Sequence, residues 1–298
     1  GTHKAMIMEY LDINGIKQKK SKIYGYTRSF SNLGSAVSSI VGIVLILFTP
    51  TIRYLFLFAI IPYLIDLLLI LSYPEYLNKK QEVTFNFGKF LLENIKSIGY
   101  VFNNKQLANY IIESSGFNAV FKTIKDYIQP LILGVGIVIV FTQKDIDTNA
   151  KIYLGTIYAI AQLISVFVSK NAYRLEKSFN AKFILRVIWF MTALTLILMG
   201  IYSDVIYVII GSFIMLYVYL NVRKPFMVEK IGDETENDKR ASVLSIESQI
   251  TSLFIIVFAP ILGYISEIYS IGLMLIILGV FLGVVGVLKM IFLNQKKT

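Results

Sequence analysis

The 298-residue sequence contains no cysteine and a single histidine, His3. Without cysteine the chain forms no disulfide bond, no thiolate metal site and no cysteine nucleophile. One histidine leaves no imidazole cluster for zinc, so we expect neither a metal nor a cofactor. The sequence also lacks a glycine-rich phosphate loop and a nucleophile elbow, and we therefore predict that the protein is not an enzyme.

Charged residues are scarce as well, at 16% of the chain, whereas hydrophobic residues make up 56% and the mean hydropathy is +0.66. Soluble domains have a smaller apolar share than this. About 20 mostly apolar residues in a helix cross a hydrocarbon core roughly 30 Å thick, and backbone groups in lipid must be paired internally. The composition therefore predicts an all-α membrane protein.

Apolar runs between charged residues predict about eight transmembrane helices. Seven lie near Thr27–Thr49, Tyr54–Tyr73, Ile152–Ser169, Phe183–Ile201, Val205–Asn221, Ala241–Tyr264 and Ile271–Phe292. The eighth is a longer helix with a polar face, which begins near Gln106, bends at Pro130 and ends near Phe141. In the last span, Gly279 and Gly283 have the spacing that lets two helices approach closely.

Positive charges lie on one side of this arrangement. If both ends of the chain are cytoplasmic, 24 of the 29 Lys and Arg residues fall in cytoplasmic segments, and the opposite loops keep Arg53, Lys144 and Lys151. Cytoplasmic loops collect Lys and Arg, so we predict a multi-pass protein of the cell membrane with both termini inside. The net charge of +10 then belongs to the membrane surface. We expect the lipid bilayer, and no nucleic acid, as a partner.

The longest segment between spans covers residues 74–110. Apolar residues recur at helical spacing from Phe87 to Phe102. This pattern predicts an amphipathic helix that lies on the inner membrane surface or, alternatively, packs against the bundle as a linker helix.

An internal repeat appears at an offset of 220 residues, where HKAMIME at 3–9 is similar to RKPFMVE at 223–229. Each segment is followed by a charged loop, an arginine (Arg28 or Arg240) and a serine-rich span. Repeats of this kind are typical of transporters built from duplicated halves.

With these features the sequence resembles the major facilitator superfamily. GTHKAMIMEYL resembles the end of the family's fourth helix, TRSFSNLGSAVSSIVG its fifth, and RKPFMVEK with KRASVLSIESQITS the tenth helix running into the eleventh. SKNAYRLEK lies where the family repeats a basic signature loop. Arg174 and Lys177 match that loop, whereas Ser169, Tyr173, Glu176 and Ser178 depart from it.

The resemblance implies a twelve-helix fold in two halves, of which this chain, beginning at Gly1, lacks roughly the first three and a half helices. Residues 1–73 are then the remainder of the N-terminal half, the end of helix 4 with helices 5 and 6. Residues 74–110 are the cytoplasmic loop between the halves, and residues 111–298 are the C-terminal half, helices 7–12. The resemblance also implies a secondary active transporter that moves a small-molecule solute by alternating access, and we expect a monomer.

Polar residues inside the predicted spans are the candidate substrate contacts. With Asn118, four of them lie on one face of the polar-faced helix: Lys122, Lys125, Asp126 and Gln129. A charge at membrane depth costs at least about 2.5–3.5 kcal/mol, so this face should meet a watery cavity, or Lys122 should pair with Asp126. The alternative is a cytoplasmic amphipathic segment leading to a span that begins near Tyr127.

Three isolated polar residues complete the set. Asp66 is a candidate carrier of a transported proton or, equally, a structural partner of a neighbouring helix. Gln162 is a candidate hydrogen-bonding partner of a polar solute or a link between helices. Glu247 lies near the start of its span, and we expect it to reach the membrane surface.

At the cytoplasmic face the resemblance implies a charge relay that holds the transporter closed. Its candidate members are Glu9, Arg28, Arg174, Glu229 and Arg240. Ion pairs near a surface contribute about 0–1 kcal/mol each, which biases two nearly equal states without locking either. The alternative is that these are solvated loop charges that follow the orientation rule alone.

Lysine and aspartate on one face favour an anionic or zwitterionic solute, with proton coupling through Asp66 or Asp126. A multidrug efflux transporter of the same fold is an alternative, but GSAVSSIVGIVLILF lacks the glycine-proline motif of the drug antiporters. A polytopic enzyme acting on lipid-linked substrates, or a channel subunit, belongs to another class. Short outer loops disfavour the enzyme, and no selectivity-filter pattern supports the channel.

Overall fold

The computed structural model describes residues 2–15, 20–49, 51, 53–72, 87–135, 145–236 and 239–295. These residues form α-helices, one 3-10 helix and no strand. The α-helices are α1 (Thr2–Ile13), α2 (Lys20–Phe48), α3 (Arg53–Leu71), α4 (Phe87–Asn103), α5 (Lys105–Gly134), α6 (Ile146–Asn171), α7 (Ala181–Ile201), α8 (Ile206–Asp233), α9 (Arg240–Ile268) and α10 (Ile271–Gln295), and the 3-10 helix is Ala172–Lys177. In the described part of the chain, α2, α3 and α6 to α10 are long and apolar enough to cross a membrane. The all-α membrane fold and seven of the predicted spans are thereby confirmed.

The polar-faced helix is α5. Its first turn is capped by Asn104, whose side chain accepts hydrogen bonds from the backbone N–H groups of Gln106 (3.0 Å) and Leu107 (3.1 Å). The helix continues without a break through Tyr127 and Pro130 to Gly134. Because of its polar residues, α5 is less hydrophobic than the helices that qualify as membrane spans. Its predicted end near Phe141 lies outside the described residues.

Helix α8 lies at the centre of the bundle and packs against α2, α5, α6 and α7. The most extensive contacts join α2 to α6 and α7 to α10. Through α2, the part of the chain before the 74–110 segment packs directly against the part after it. Helix α3 buries none of its side chains, and its main contact is with α2.

The predicted amphipathic helix within the 74–110 segment is α4. It packs against α5 and α9, with Val101 fully buried. Leu92, Ile95, Ile98 and Phe102 remain exposed on its outer side. The helix therefore packs on the bundle and keeps an apolar stripe of the kind that lies in a membrane surface.

One of the two glycines singled out in the last span makes a close contact. A Cβ atom at Gly279 would lie 2.8 Å from the carbonyl oxygen of Ala193 and 3.1 Å from the backbone nitrogen of Ile197, both on α7. A Cβ atom at Gly283 would meet nothing within 4 Å. Of these two glycines, Gly279 is the one required for the close approach of α10 to α7.

This difference predicts opposite effects for the same substitution one helical turn apart. Gly279→Ala forces backbone atoms of α7 to move, and such overpacking costs about 1–3 kcal/mol. Gly283→Ala meets open space, and alanine is favoured over glycine in a helix by about 1 kcal/mol. Thermal unfolding of the two purified variants in detergent should show a lower midpoint for Gly279→Ala alone. Equal midpoints would contradict the packing described for α7 and α10.

Candidate functional site

The polar face of α5 is the first element of the candidate site. Lys122, Asp126 and Gln129 are exposed, and Lys125 is half-buried. In the described part of the chain no ion pair joins Lys122 to Asp126, so the pairing expected from their spacing is absent. The face therefore presents two cations, Lys122 and Lys125, and one anion, Asp126.

An aromatic cluster holds α5, α6 and α8 together beside this face. Phe121 packs edge-on against Tyr217 with ring centroids 5.0 Å apart. Phe213 makes edge-on contacts with both Tyr217 (5.0 Å) and Tyr158 (5.2 Å). Edge-to-face aromatic pairs are directional, so these rings fix the positions of the two tyrosine hydroxyls relative to α5.

Polar side chains of α5, α6, α8 and α2 lie around this cluster. The rings of Tyr158 and Tyr217 both contact Phe213. Asp126 lies within electrostatic range of Tyr158, and Arg28 within that of Tyr217. Four helices thus contribute one side chain each to a group that we call the polar path: Asp126, Tyr158, Tyr217 and Arg28.

The polar path ends at a buried amide, Asn221 of α8. Its Oδ1 accepts hydrogen bonds from Arg28 Nε (3.2 Å), Asn32 Nδ2 (2.9 Å) and Ser169 Oγ (3.2 Å). Its Nδ2 donates to Ser165 Oγ (3.0 Å) and to a carbonyl of its own helix. Asn221 is completely buried, so one residue satisfies polar groups of α2, α6 and α8 in an apolar surrounding.

Two further contacts tighten the junction of α2 with α6. Asn32 Nδ2 also donates to the Ser165 carbonyl (3.1 Å) and to Ser169 Oγ (3.0 Å). A Cβ atom at Gly25 would lie only 2.5 Å from the Ser169 carbonyl oxygen, so no larger residue fits there without moving a helix. Nothing in the sequence pattern marks Asn32, Ser165 or Asn221 as members of such a network.

Four charged side chains form an ion cluster at the end of the bundle where α1 and α8 end and α2 and α9 begin. Asp12 of α1 pairs with Arg240 of α9 and lies 3.8 Å from Lys20 of α2. Lys20 also pairs with Asp233 of α8 at 2.8 Å. Asp12, Lys20 and Arg240 are each less than a tenth exposed at their side chains. We call these four residues the ion cluster.

Of the residues proposed for the charge relay, Arg240 is a member of the ion cluster. Glu9 and Glu229 are half-buried on α1 and α8, about one helical turn before Asp12 and Asp233. Arg28 hydrogen-bonds Asn221, and Arg174 is exposed in the 3-10 helix.

The remaining candidates occupy different surroundings. Gln162 lies on α6 between Tyr158 and Ser165, and its buried Oε1 accepts no hydrogen bond from the described residues. Asp66 is exposed on α3 and pairs with no described residue. The structure thus places Gln162 beside the polar path but does not bring Asp66 to the face of α5.

Glu247 corrects an expectation. It is buried at 3% exposure rather than reaching the surface, and it accepts hydrogen bonds from Ser114 Oγ (2.6 Å) and Asn118 Nδ2 (3.3 Å) of α5. The position of Glu247 near the start of its span did not indicate which face of the helix carries the carboxylate. Through Asn118, the polar face of α5 continues to a second acid.

A separate ion triad lies in the later helices. Arg223 of α8 pairs with Glu113 of α5 at 2.6 Å, and Glu113 also pairs with Lys289 of α10 at 3.2 Å. The Arg223 guanidinium stacks over the rings of Phe117 (4.6 Å) and Trp189 (5.5 Å). Arg223 is 2% exposed. Among the described residues, no hydrogen bond or ion pair joins this triad to the polar path, and the triad links α5, α8 and α10.

Comparison with known proteins gives one match. A sequence profile of the Major Facilitator Superfamily matches residues 16–223, ending at Arg223 of α8. No curated protein and no solved structure matches the chain.

Proposed function

Because the chain belongs to the Major Facilitator Superfamily of transporters, we propose that it is a secondary active transporter that moves a small polar or charged solute across the cell membrane by alternating access. Its spans make it a multi-pass membrane protein embedded in the lipid bilayer. The proposal includes both termini on the cytoplasmic side, a monomer, and the assignment of residues 1–73 and 111–298 to two halves joined by residues 74–110.

The polar path is the observation that carries this proposal. Its four side chains come from four helices, and Asp126, at its α5 end, is exposed beside Lys122 and Gln129. Charged groups within a membrane bundle are expensive, and they are typically found where they line a route for solute or ions. The polar path runs across the junction of α2 with α6 and α8, where the two proposed halves meet.

The gate of the proposed transporter is the ion cluster together with the Asn221 network. Both join α2 to helices that follow the 74–110 segment, so both must separate when the cytoplasmic side opens. Hydrogen bonds and ion pairs of this kind re-form with water when exposed, which keeps the free energies of the two states close. Alternating access requires that balance.

The charges on α5 define the class of solute. Lys122 and Lys125 offer two cations to a carboxylate or phosphate, and Asp126 offers one anion to an ammonium group or accepts a proton. Tyr158 and Gln162 add uncharged hydrogen-bonding groups on α6. We therefore propose an anionic or zwitterionic solute, and Asp126 rather than Asp66 as the site of proton coupling, because Asp66 lies apart from this face.

Uptake by the full chain in proteoliposomes tests the solute class. The radiolabelled probes are a dicarboxylate and a zwitterionic amino acid, with the lipophilic cation ethidium followed by fluorescence and an imposed pH gradient as the driving force. We expect accumulation of an anionic or zwitterionic probe above protein-free liposomes. Accumulation of ethidium without either of the others would overturn the solute class in favour of drug transport.

A further inference from the structure

A groove of about 850 Å³ lies between α5, α7 and α10, away from the polar path. It is located where α5 and α7 begin and α10 ends, which is one side of the bundle and the cytoplasmic side in the proposed orientation. A volume of this size is ample for a small molecule or a lipid headgroup. The transport route does not include it.

The charge of the groove is strongly positive. Four cations line it: Lys105, Lys182, Arg186 and Lys289. Its one carboxylate, Glu113, is already paired with both Arg223 and Lys289. Lys105, Lys182 and Arg186 are exposed and form no ion pair with any described residue. The groove therefore has uncompensated positive charge that suits an anion of one to two charges.

The other walls of the groove are apolar and continue onto the lipid-facing surface. Leu185, Phe190 and Leu288 line the groove. On the same two helices Phe183 is 52% exposed and Val284 is 52% exposed. A soluble anion would leave these walls in contact with water, whereas an acyl chain would cover them.

From this combination we propose that the groove binds the headgroup of an anionic phospholipid of the cytoplasmic leaflet, with Lys182 and Arg186 contacting the phosphate and the acyl chains lying along α7 and α10. Basic pockets between transmembrane helices on this side of a membrane are suited to such headgroups. The arginine can bind the phosphate with two parallel hydrogen bonds, and the lysine supplies a point charge. Bound lipid would tie α7 to α10 and α5 without touching the polar path.

The single tryptophan of the chain, Trp189, lines the groove and reports on lipid there. The full chain is reconstituted in phosphatidylcholine with increasing fractions of dibrominated phosphatidylglycerol, whose bromine atoms quench indole fluorescence on contact. We expect quenching at a lower mole fraction than with dibrominated phosphatidylcholine. Equal quenching by the two lipids would overturn the proposal.

A matched pair of double variants locates the effect. Lys182→Gln with Arg186→Gln removes two groove cations, and we expect at least about a tenfold loss of preference for phosphatidylglycerol. Lys170→Gln with Lys177→Gln removes two exposed cations of the adjoining 170–180 segment, outside the groove, and we expect no loss. An equal loss in both would assign the effect to surface charge in general.

Two additions complete the test. Lys182→Arg should retain the preference, and a loss in that conservative variant would contradict recognition by charge. Inorganic phosphate at millimolar concentration should leave the quenching unchanged. Release of the brominated lipid by phosphate would assign the groove to a soluble anion instead.

Discussion

Replacing Arg223 with methionine should destabilise the folded protein by about 3–5 kcal/mol, because removing one partner of a buried ion pair leaves the other charge uncompensated. Arg223 pairs with Glu113 at 2.6 Å and stacks over Phe117, and methionine can supply neither interaction. Lys289, which lies 3.2 Å from Glu113 with a side chain that is 33% exposed, would compensate the carboxylate only in part. Unfolding of the full chain in mixed micelles, followed by circular dichroism, measures the loss.

Two controls separate this effect from the loss of any positive charge. Arg223→Met combined with Glu113→Gln should recover part of the stability, because the uncompensated carboxylate is then gone. Lys151→Met breaks the exposed pair with Asp147 and should cost less than about 1 kcal/mol. Equal losses for Arg223→Met and Lys151→Met would show that the triad has no structural role.

Replacing Asp126 with asparagine should reduce solute uptake at least about tenfold, the effect of losing a hydrogen bond to a charged group. Asparagine has nearly the shape of aspartate, but it neither attracts an ammonium group nor carries a proton. Because Asp126 is exposed and forms no ion pair with a described residue, folding should be unaffected. Uptake is measured in proteoliposomes with the probe that the wild-type protein accumulates.

The same substitution at Asp147 is the matched control. Asp147 is an exposed acid in the first turn of α6, paired with Lys151 and remote from the polar path. Asp147→Asn should transport at the wild-type rate. A normal rate for Asp126→Asn would remove this residue from the site and leave Lys122, Lys125 and Gln129 as solute contacts without an acidic partner.

The helices could be predicted from the sequence because lipid leaves the backbone few alternatives. The length of the apolar runs predicted α2, α3 and α6 to α10. The helical spacing of apolar or polar residues predicted α4 and α5. Polar residues in α5 did not obscure the helix, since they fall on one face. The spacing of Gly279 and Gly283 did not show which of them makes a close contact, because that depends on the position of α7.

The contacts among polar residues could not be predicted in the same way. Asn221 joins α2 to α6, and Arg223 meets Glu113 across 110 positions, so neither partner follows from local sequence. A lone asparagine or serine in a span is commonly an interhelical link, and nothing in the pattern marks Asn221 as the centre of a network.

The internal repeat indicates which helices carry the proposed charge relay. Glu9 and Glu229, the two acids matched by the repeat, lie on α1 and α8. Asp12 and Asp233, three and four positions later on the same helix faces, form the ion cluster with Lys20 and Arg240. A repeat indicates which helices contact one another. Which helical turn contacts a given arginine depends on the axial offset between neighbouring helices.

Labelling of one introduced cysteine tests alternating access through the polar path most directly, because the chain has no cysteine of its own. The full chain carrying Gln162→Cys, beside the polar path, is exposed from the cytoplasmic side to a membrane-impermeant maleimide. Arg240→Gln, which breaks the ion cluster at Asp12, should raise the labelling rate at least about fivefold, corresponding to about 1 kcal/mol of bias between the two states. Lys239→Gln, which breaks an exposed pair one residue earlier, should leave the rate unchanged. Equal labelling in the wild type and both variants would contradict a gate at the ion cluster and, with it, the proposed route.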